Sequence, residues 1–88
     1  MVRLIFYTRQ NCHLCDVAKL TVCRLQRFIN FDIEERYVDD NPDWVRLYGD
    51  EVPVGIIGCR KVFKYRVDVD KLTRAIEATP NNNFRNGA

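Results

Sequence analysis

Cys12 and Cys15 are the residues of this chain best suited to chemistry. They stand three apart in Cys12-His13-Leu14-Cys15, after the apolar run Leu4-Ile5-Phe6-Tyr7 and before a run with helical periodicity. That order puts a thiol pair where a strand gives way to a helix. The first turn of a helix leaves its N–H groups unpaired and carries the positive end of the helix dipole. A sulfur held there is stabilised as thiolate, the form that attacks disulfides. Cys12, the more exposed of the two, is then the attacking sulfur, with the amides of Leu14 and Cys15 as donors and Arg9 as a nearby positive charge. Cys15 lies one turn on, where its thiol can resolve a mixed disulfide. The competing reading is a pair of small buried residues. His13 either stabilises the thiolate as an imidazolium or faces solvent and does little. Leu14 packs or lines a substrate groove.

These residues need a strand and a helix to hold them, and the chain supplies both. Residues 3–7 read as a buried strand. Over 13–29, Leu14, Ala18, Val22, Leu25 and Ile29 recur on one helix face. Residues 32–38 alternate as a second strand, with Ile33, Tyr37 and Val38 turned to the core. Asn41-Pro42-Asp43 opens a short helix, with Asn41 as N-cap and Pro42 in the first turn, and Gly49 closes it. Trp44 and Tyr48 pack that helix on the sheet. Residues 54–57 and 61–65 form a hairpin around Gly58. Val69, Leu72 and Ile76 mark a last helix over 69–78, capped by Asp68 and ended by Thr79-Pro80. The order β-α-β-α-β-β-α implies an α/β fold with a four-stranded mixed sheet flanked by three helices. The first two strands are parallel through a right-handed crossover. One domain over residues 1–79 and a flexible tail over 80–88 are expected.

Composition narrows the functional classes. Eighty-eight residues, 47% of them hydrophobic, can build one modest core. The N-terminal apolar run is too short for a signal-peptide core or a membrane span, so a cytoplasmic location is expected. There thiols are kept reduced, and four cysteines need not form a scaffold of disulfides. Charge is segregated: residues 1–31 hold five bases and one acid, 32–51 two bases and eight acids, 52–88 seven bases and three acids. If the fold brings the outer segments together, their basic face would suit an anionic thiol or an acidic protein; the competing and simpler reading is a solvated surface. Arg60, Lys61, Lys64 and Arg66 are too few and too interrupted to imply nucleic-acid binding.

Motif and element order together resemble the glutaredoxin branch of the thioredoxin-like fold over residues 2–78. The residues that carry this are Phe6-Tyr7-Thr8-Arg9-Gln10-Asn11-Cys12-His13-Leu14-Cys15 and Glu51-Val52-Pro53-Val54. His-Leu between the cysteines and the later Val-Pro-Val are similar to small glutaredoxin-like proteins. The resemblance implies a thiol–disulfide oxidoreductase, an electron-carrying enzyme working through Cys12 and Cys15. It also implies a cis Val52–Pro53 step beside them that offers the Val52 backbone to substrate. Arg9, His13, Leu14, Val52 and Pro53 are thereby the candidate substrate- or glutathione-binding residues. No tightly bound cofactor is implied. Glutathione or a thioredoxin-reductase-type flavoenzyme would serve as reductant, and a disulfide-bearing protein or small thiol as substrate, to a monomer.

The chain departs from the family pattern in three places. Where glutaredoxins carry Gly-Gly-x-Asp to hold glutathione, this chain has Phe63-Lys64-Tyr65-Arg66-Val67-Asp68. Arg66 and Asp68 are the candidate replacements. Phe6 stands where thioredoxins keep a buried acid, and no proline separates the cysteines. Two rival readings come from other classes. One is a thioredoxin-fold binding module with non-catalytic cysteines. The other is a zinc or iron–sulfur domain. Spacing speaks against a metal site within one chain: Cys15 and Cys23 on one helix lie about 12 Å apart along its axis. Zinc-bound sulfurs must each lie about 2.3 Å from the ion. Cys23 then reads as a small helix-face residue and Cys59 as an exposed hairpin residue.

Overall fold

The structure, a computed structural model, describes residues 1–80. The tail expected over 80–88 lies, apart from Pro80, outside the described residues. In chain order the elements are β1 (Arg3–Thr8), α1 (His13–Leu25), β2 (Asp32–Tyr37), a single 3₁₀ turn (Val38–Asp40), α2 (Pro42–Tyr48), β3 (Val54–Ile57), β4 (Arg60–Lys64) and α3 (Val69–Ala78). The sheet runs β2-β1-β3-β4. β1 and β2 are parallel, and the β1–β3 and β3–β4 pairs are antiparallel.

Alternation along β1 divides the core in two. Leu4 and Phe6 face one side, where they meet Ala18 and Val22 of α1, Leu72 and Ile76 of α3, and Phe63 of β4. Tyr7 faces the other side and joins Val38, Val54, Trp44 and Tyr48 under α2. The Tyr7 ring stacks on Tyr48 with centroids 4.3 Å apart and meets Trp44 edge-on at 5.6 Å. Central β1 is thus covered on both faces.

One register detail ties three strands together. Phe6, Gly55 and Phe63 stand in line across β1, β3 and β4. With no side chain at Gly55, the Phe6 and Phe63 rings approach to 6.0 Å across the gap.

The expected elements form, with three differences. α1 ends at Leu25, not at residue 29. Arg27 and Phe28 donate to carbonyls only three residues back, and the Gln26 side-chain amide donates to the Phe31 carbonyl at 2.8 Å. The chain tightens and turns toward β2, yet Ile29 still packs against the core, so the apolar repeat outlives the helix. Tyr37, expected inside, is 39% exposed, because β2 ends there and Val38 takes the buried place in the 3₁₀ turn. Tyr65, expected in β4, lies just past its end at φ 66°. The Arg66 N–H donates to the Lys64 carbonyl at 2.7 Å, so Tyr65 is the centre of a γ-turn of the uncommon positive-φ kind.

Candidate active site

The loop from β1 to α1 sets the cysteines. Asn11 takes φ 58°, a left-handed conformation that asparagine tolerates better than most residues. Cys12 follows in extended conformation as the N-cap of α1. Its Sγ accepts the Cys15 N–H at 3.1 Å, and its carbonyl accepts the first helical bond, from the Asp16 N–H. A sulfur here does the work that a serine or aspartate oxygen usually does at a cap.

Cys12 and Cys15 are joined as a disulfide, with Cα atoms 5.2 Å apart. That separation lies in the ordinary range for a disulfide, so the backbone already holds the two sulfurs within bonding reach. Their exposure differs. Cys15 is 2% exposed against the core, whereas Cys12 is half-buried. A reactant arriving from solvent meets Cys12 first.

The other expected site residues distribute unevenly. His13, at the first position of α1, is exposed, and no side-chain hydrogen bond of its own is found among the described residues. Leu14 leaves the buried stripe, which Cys15, Ala18 and Val22 form instead, and lines a surface hollow with Val17, Tyr65, Arg66 and Val67. Tyr7 pairs with Val54 in the β1–β3 ladder, so Val52 and Pro53 come up beside the end of β1. The Val52–Pro53 peptide is cis. The backbone N–H and C=O of Val52 take no partner among the described residues. One donor fastens this step to the end of β4: the Tyr65 N–H reaches the Pro53 carbonyl at 2.9 Å and the Glu51 carbonyl at 3.2 Å.

Arg9 has partners that the sequence did not indicate. Its guanidinium bonds both carboxylate oxygens of Asp39 and donates to the Gly49 carbonyl at 3.0 Å. The hydrogen bond from Arg9, and then its charge, hold the Asp39 carboxyl below the usual carboxylate range. Arg9 therefore clamps the end of β1 to the 3₁₀ turn and to the end of α2, and a carboxylate answers its charge. Glu51 plays a similar part on the other flank. A hydrogen bond from Lys61 and the charges of Lys61 and Lys64 hold its carboxyl low. Sequence reading missed Glu51 and the special backbone of Tyr65. The lysines at 61 and 64 were a signal for the first; a tyrosine carries none for the second.

Cys23 and Cys59 are free and exposed. Among the described residues no three His, Cys, Asp or Glu side chains gather as a metal set, and no helix is long and apolar enough to cross a membrane.

Comparison with known proteins agrees with this fold. A glutaredoxin-like protein YDR286C homolog from Dictyostelium discoideum is 33% identical, over 86% of this chain and 76% of its own length. The solution structure of protein Ne2328 from Nitrosomonas europaea superposes with TM-score 0.77 at 30% identity, covering 85% of this chain and 91% of that one. Protein XcR50 from X. campestris gives TM-score 0.67 at 28% identity, covering 88% and 99%. A thioredoxin from Halobacterium salinarum, at 23% identity and TM-score 0.65 over 88% and 73%, shares the fold. The profile of the family described as Glutaredoxin-like domain (DUF836) matches residues 3–77, and the chain belongs to that family.

Proposed function

We propose that the protein is a thiol–disulfide oxidoreductase that works through Cys12 and Cys15. The observation that carries this reading is the half-buried Cys12 sulfur at the N-cap of α1, receiving the Cys15 amide at 3.1 Å with the second sulfur in bonding reach. In the dithiol form, the amide and the helix dipole favour ionisation of Cys12. The thiolate attacks one sulfur of a substrate disulfide, forming a mixed disulfide and releasing the other sulfur as a thiolate. Deprotonated Cys15 then attacks the Cys12 sulfur and expels the substrate's remaining thiolate, which takes up a proton. The substrate gains two electrons and two protons, and the protein is left with the Cys12–Cys15 disulfide. Glutathione or a flavoenzyme of the thioredoxin-reductase type restores the dithiol.

The surrounding residues have supporting roles in this scheme. The unpartnered Val52 backbone can pair with an extended substrate segment beside the disulfide. Pro53, buried next to it, fixes that position. Leu14 meets the substrate's flank, and His13 stands exposed beside the attacked bond. Arg9 is a positioning residue: it braces the loop through Asp39 and Gly49. A reducing compartment such as the cytoplasm, where the dithiol would be maintained, suits the activity.

The test is a pair of variants assayed with a disulfide substrate and a thiol reductant. Cys12→Ser is expected to abolish turnover. Cys15→Ser is expected to accumulate a mixed disulfide on Cys12, seen by mass spectrometry. Undiminished turnover in Cys12→Ser refutes the assignment.

A further inference from the structure

We propose that the disulfide partner is a polypeptide rather than a small thiol, held by a groove along α1 that accepts an apolar segment carrying acidic side chains. This rests on the redox reading of Cys12 and Cys15 and names the class of substrate.

α1 has two apolar faces. Cys15, Ala18 and Val22 face the core. Beside them Leu14, Val17, Thr21 and Arg24 recur at intervals of three and four, which aligns them as a second stripe, and Phe28, just past the end of the helix, lines the same hollow as Thr21 and Arg24. This face is open to solvent: Leu14 is 38% exposed, Val17 50% and Phe28 82%. A wall faces it, made by Tyr65, Arg66 and Val67 near the cysteines and by Val69 further along. Two hollows of about 160 and 250 Å³ lie between stripe and wall and meet at Thr21. The first begins at Leu14, in the same helical turn as the sulfurs.

Length selects the occupant. Leu14 to Arg24 spans about 15 Å along the helix, which an extended chain covers with roughly five residues. A tripeptide thiol bonded through its own cysteine extends only one residue to either side, about 3.5 Å through an α-peptide bond and roughly 7 Å through the γ-glutamyl link of glutathione. It can occupy the first hollow and not the second. Charge selects the occupant's composition. Arg66 lines the first hollow and Arg24 the second. Neither pairs with an acid among the described residues, whereas Arg9 and Arg36 do. The nearby Asp68 carboxylate is engaged as the α3 cap by the Lys71 N–H. An apolar floor edged by two guanidinium groups that have no ion-pair partner among the described residues is complementary to an apolar segment bearing carboxylates.

The experiment uses reduced protein with Cys23 and Cys59 changed to serine, so that only the pair reacts. Its substrates are mixed disulfides of 5-thio-2-nitrobenzoate with glutathione or with peptides of about ten residues, cysteine at the centre. One peptide is flanked by leucine, phenylalanine and glutamate; one has lysine for glutamate; one has serine and glycine throughout. The glutamate peptide is expected to react at least roughly tenfold faster than the other substrates. Val17→Ser with Phe28→Ser should reduce that advantage to less than about threefold. Arg24→Glu with Arg66→Glu should make the lysine peptide the faster. Equal rates for glutathione and peptides overturn the proposal. A dimer lost on Phe28→Ser also overturns it, by assigning the groove to a second copy. So does a roughly tenfold gain in peptide rate on removing residues 81–88, which assigns it to the chain's own C-terminus. If no disulfide reacts at all, the redox reading fails by itself. Anisotropy of a serine-centred glutamate peptide then reads the groove alone: binding lost in the Val17/Phe28 variant upholds it, and no binding refutes it.

Discussion

Adding a single methyl group at Gly55 should loosen the centre of this fold. A Cβ there would fall against the ring of Phe63, 2.6 Å from Cζ and 2.7 Å from Cδ2, and nearer still to Cε2. The ring is 7% exposed and packs on Phe6, so it has little room to swing aside. Overpacking of this kind costs about 1–3 kcal/mol. Replacing glycine in a strand returns about 0.5–1 kcal/mol of backbone entropy. Gly55→Ala is therefore expected to lose about 1–2 kcal/mol, and at about 4–8 °C per kcal/mol for a domain of this size the melting temperature should fall by roughly 5–15 °C. Phe63→Leu vacates the contested space and should cost about 1–2 kcal/mol on its own through the cavity it leaves. The double variant should then be more stable than the sum of the two losses predicts, by about 1 kcal/mol. Urea unfolding of all four proteins, at constant m-value, measures the coupling. A loss below about 0.3 kcal/mol for Gly55→Ala, or additive losses in the double variant, would show that the rings do not meet across Gly55 as described.

Other expectations concern the site and its supports. In reduced protein carrying serine at 23 and 59, iodoacetamide should alkylate Cys12 well before Cys15, because Cys15 is buried; peptide mapping showing Cys15 modified first contradicts the assigned roles. Asn11→Val should cost about 1–2 kcal/mol by forcing a β-branched residue to positive φ, while Asn11→Gly should be tolerated; equal melting temperatures for the two would remove the conformational argument. Asp39 and Glu51 have carboxyl groups held low in the folded state, so their contribution is complete above the ordinary carboxylate pKa of about 4 and is lost as pH falls through the lower folded values. Asp39→Asn and Glu51→Gln should each flatten the acid limb of the melting-temperature profile, less so in high salt, and an unchanged limb in both would discount the clamps.

Much of the fold was legible because local rules and tertiary demands coincide. Asn41-Pro42 opens α2, Asp68 caps α3, and Cys12 begins α1, each from residue type and spacing alone. The readings that the structure corrects or adds to concern long reach or backbone choice. Apolar periodicity carried α1 to Ile29, since a tightened turn returns that side chain to the same core and leaves the pattern intact. The pairing of Arg9 with Asp39, thirty residues on, had no local signal, since a flexible guanidinium goes where the fold offers a carboxylate. Tyr65 at positive φ could not be foreseen, because aromatic residues are not favoured there. Leu14 has the right spacing for the buried stripe; only the placement of Tyr65 and Val67 decides that it lines a groove.

The shared bond of the Tyr65 amide has a mechanical consequence. This single N–H holds both Glu51 and Pro53, while the side chain above it forms one wall of the hollow beside the cysteines. Wall and proline are thus linked through one hydrogen, next to the Val54–Lys64 pairing of the adjoining strands. A displacement of that amide reaches both carbonyls at once, so a change at residue 65 is felt at 53 without any residue between them being altered.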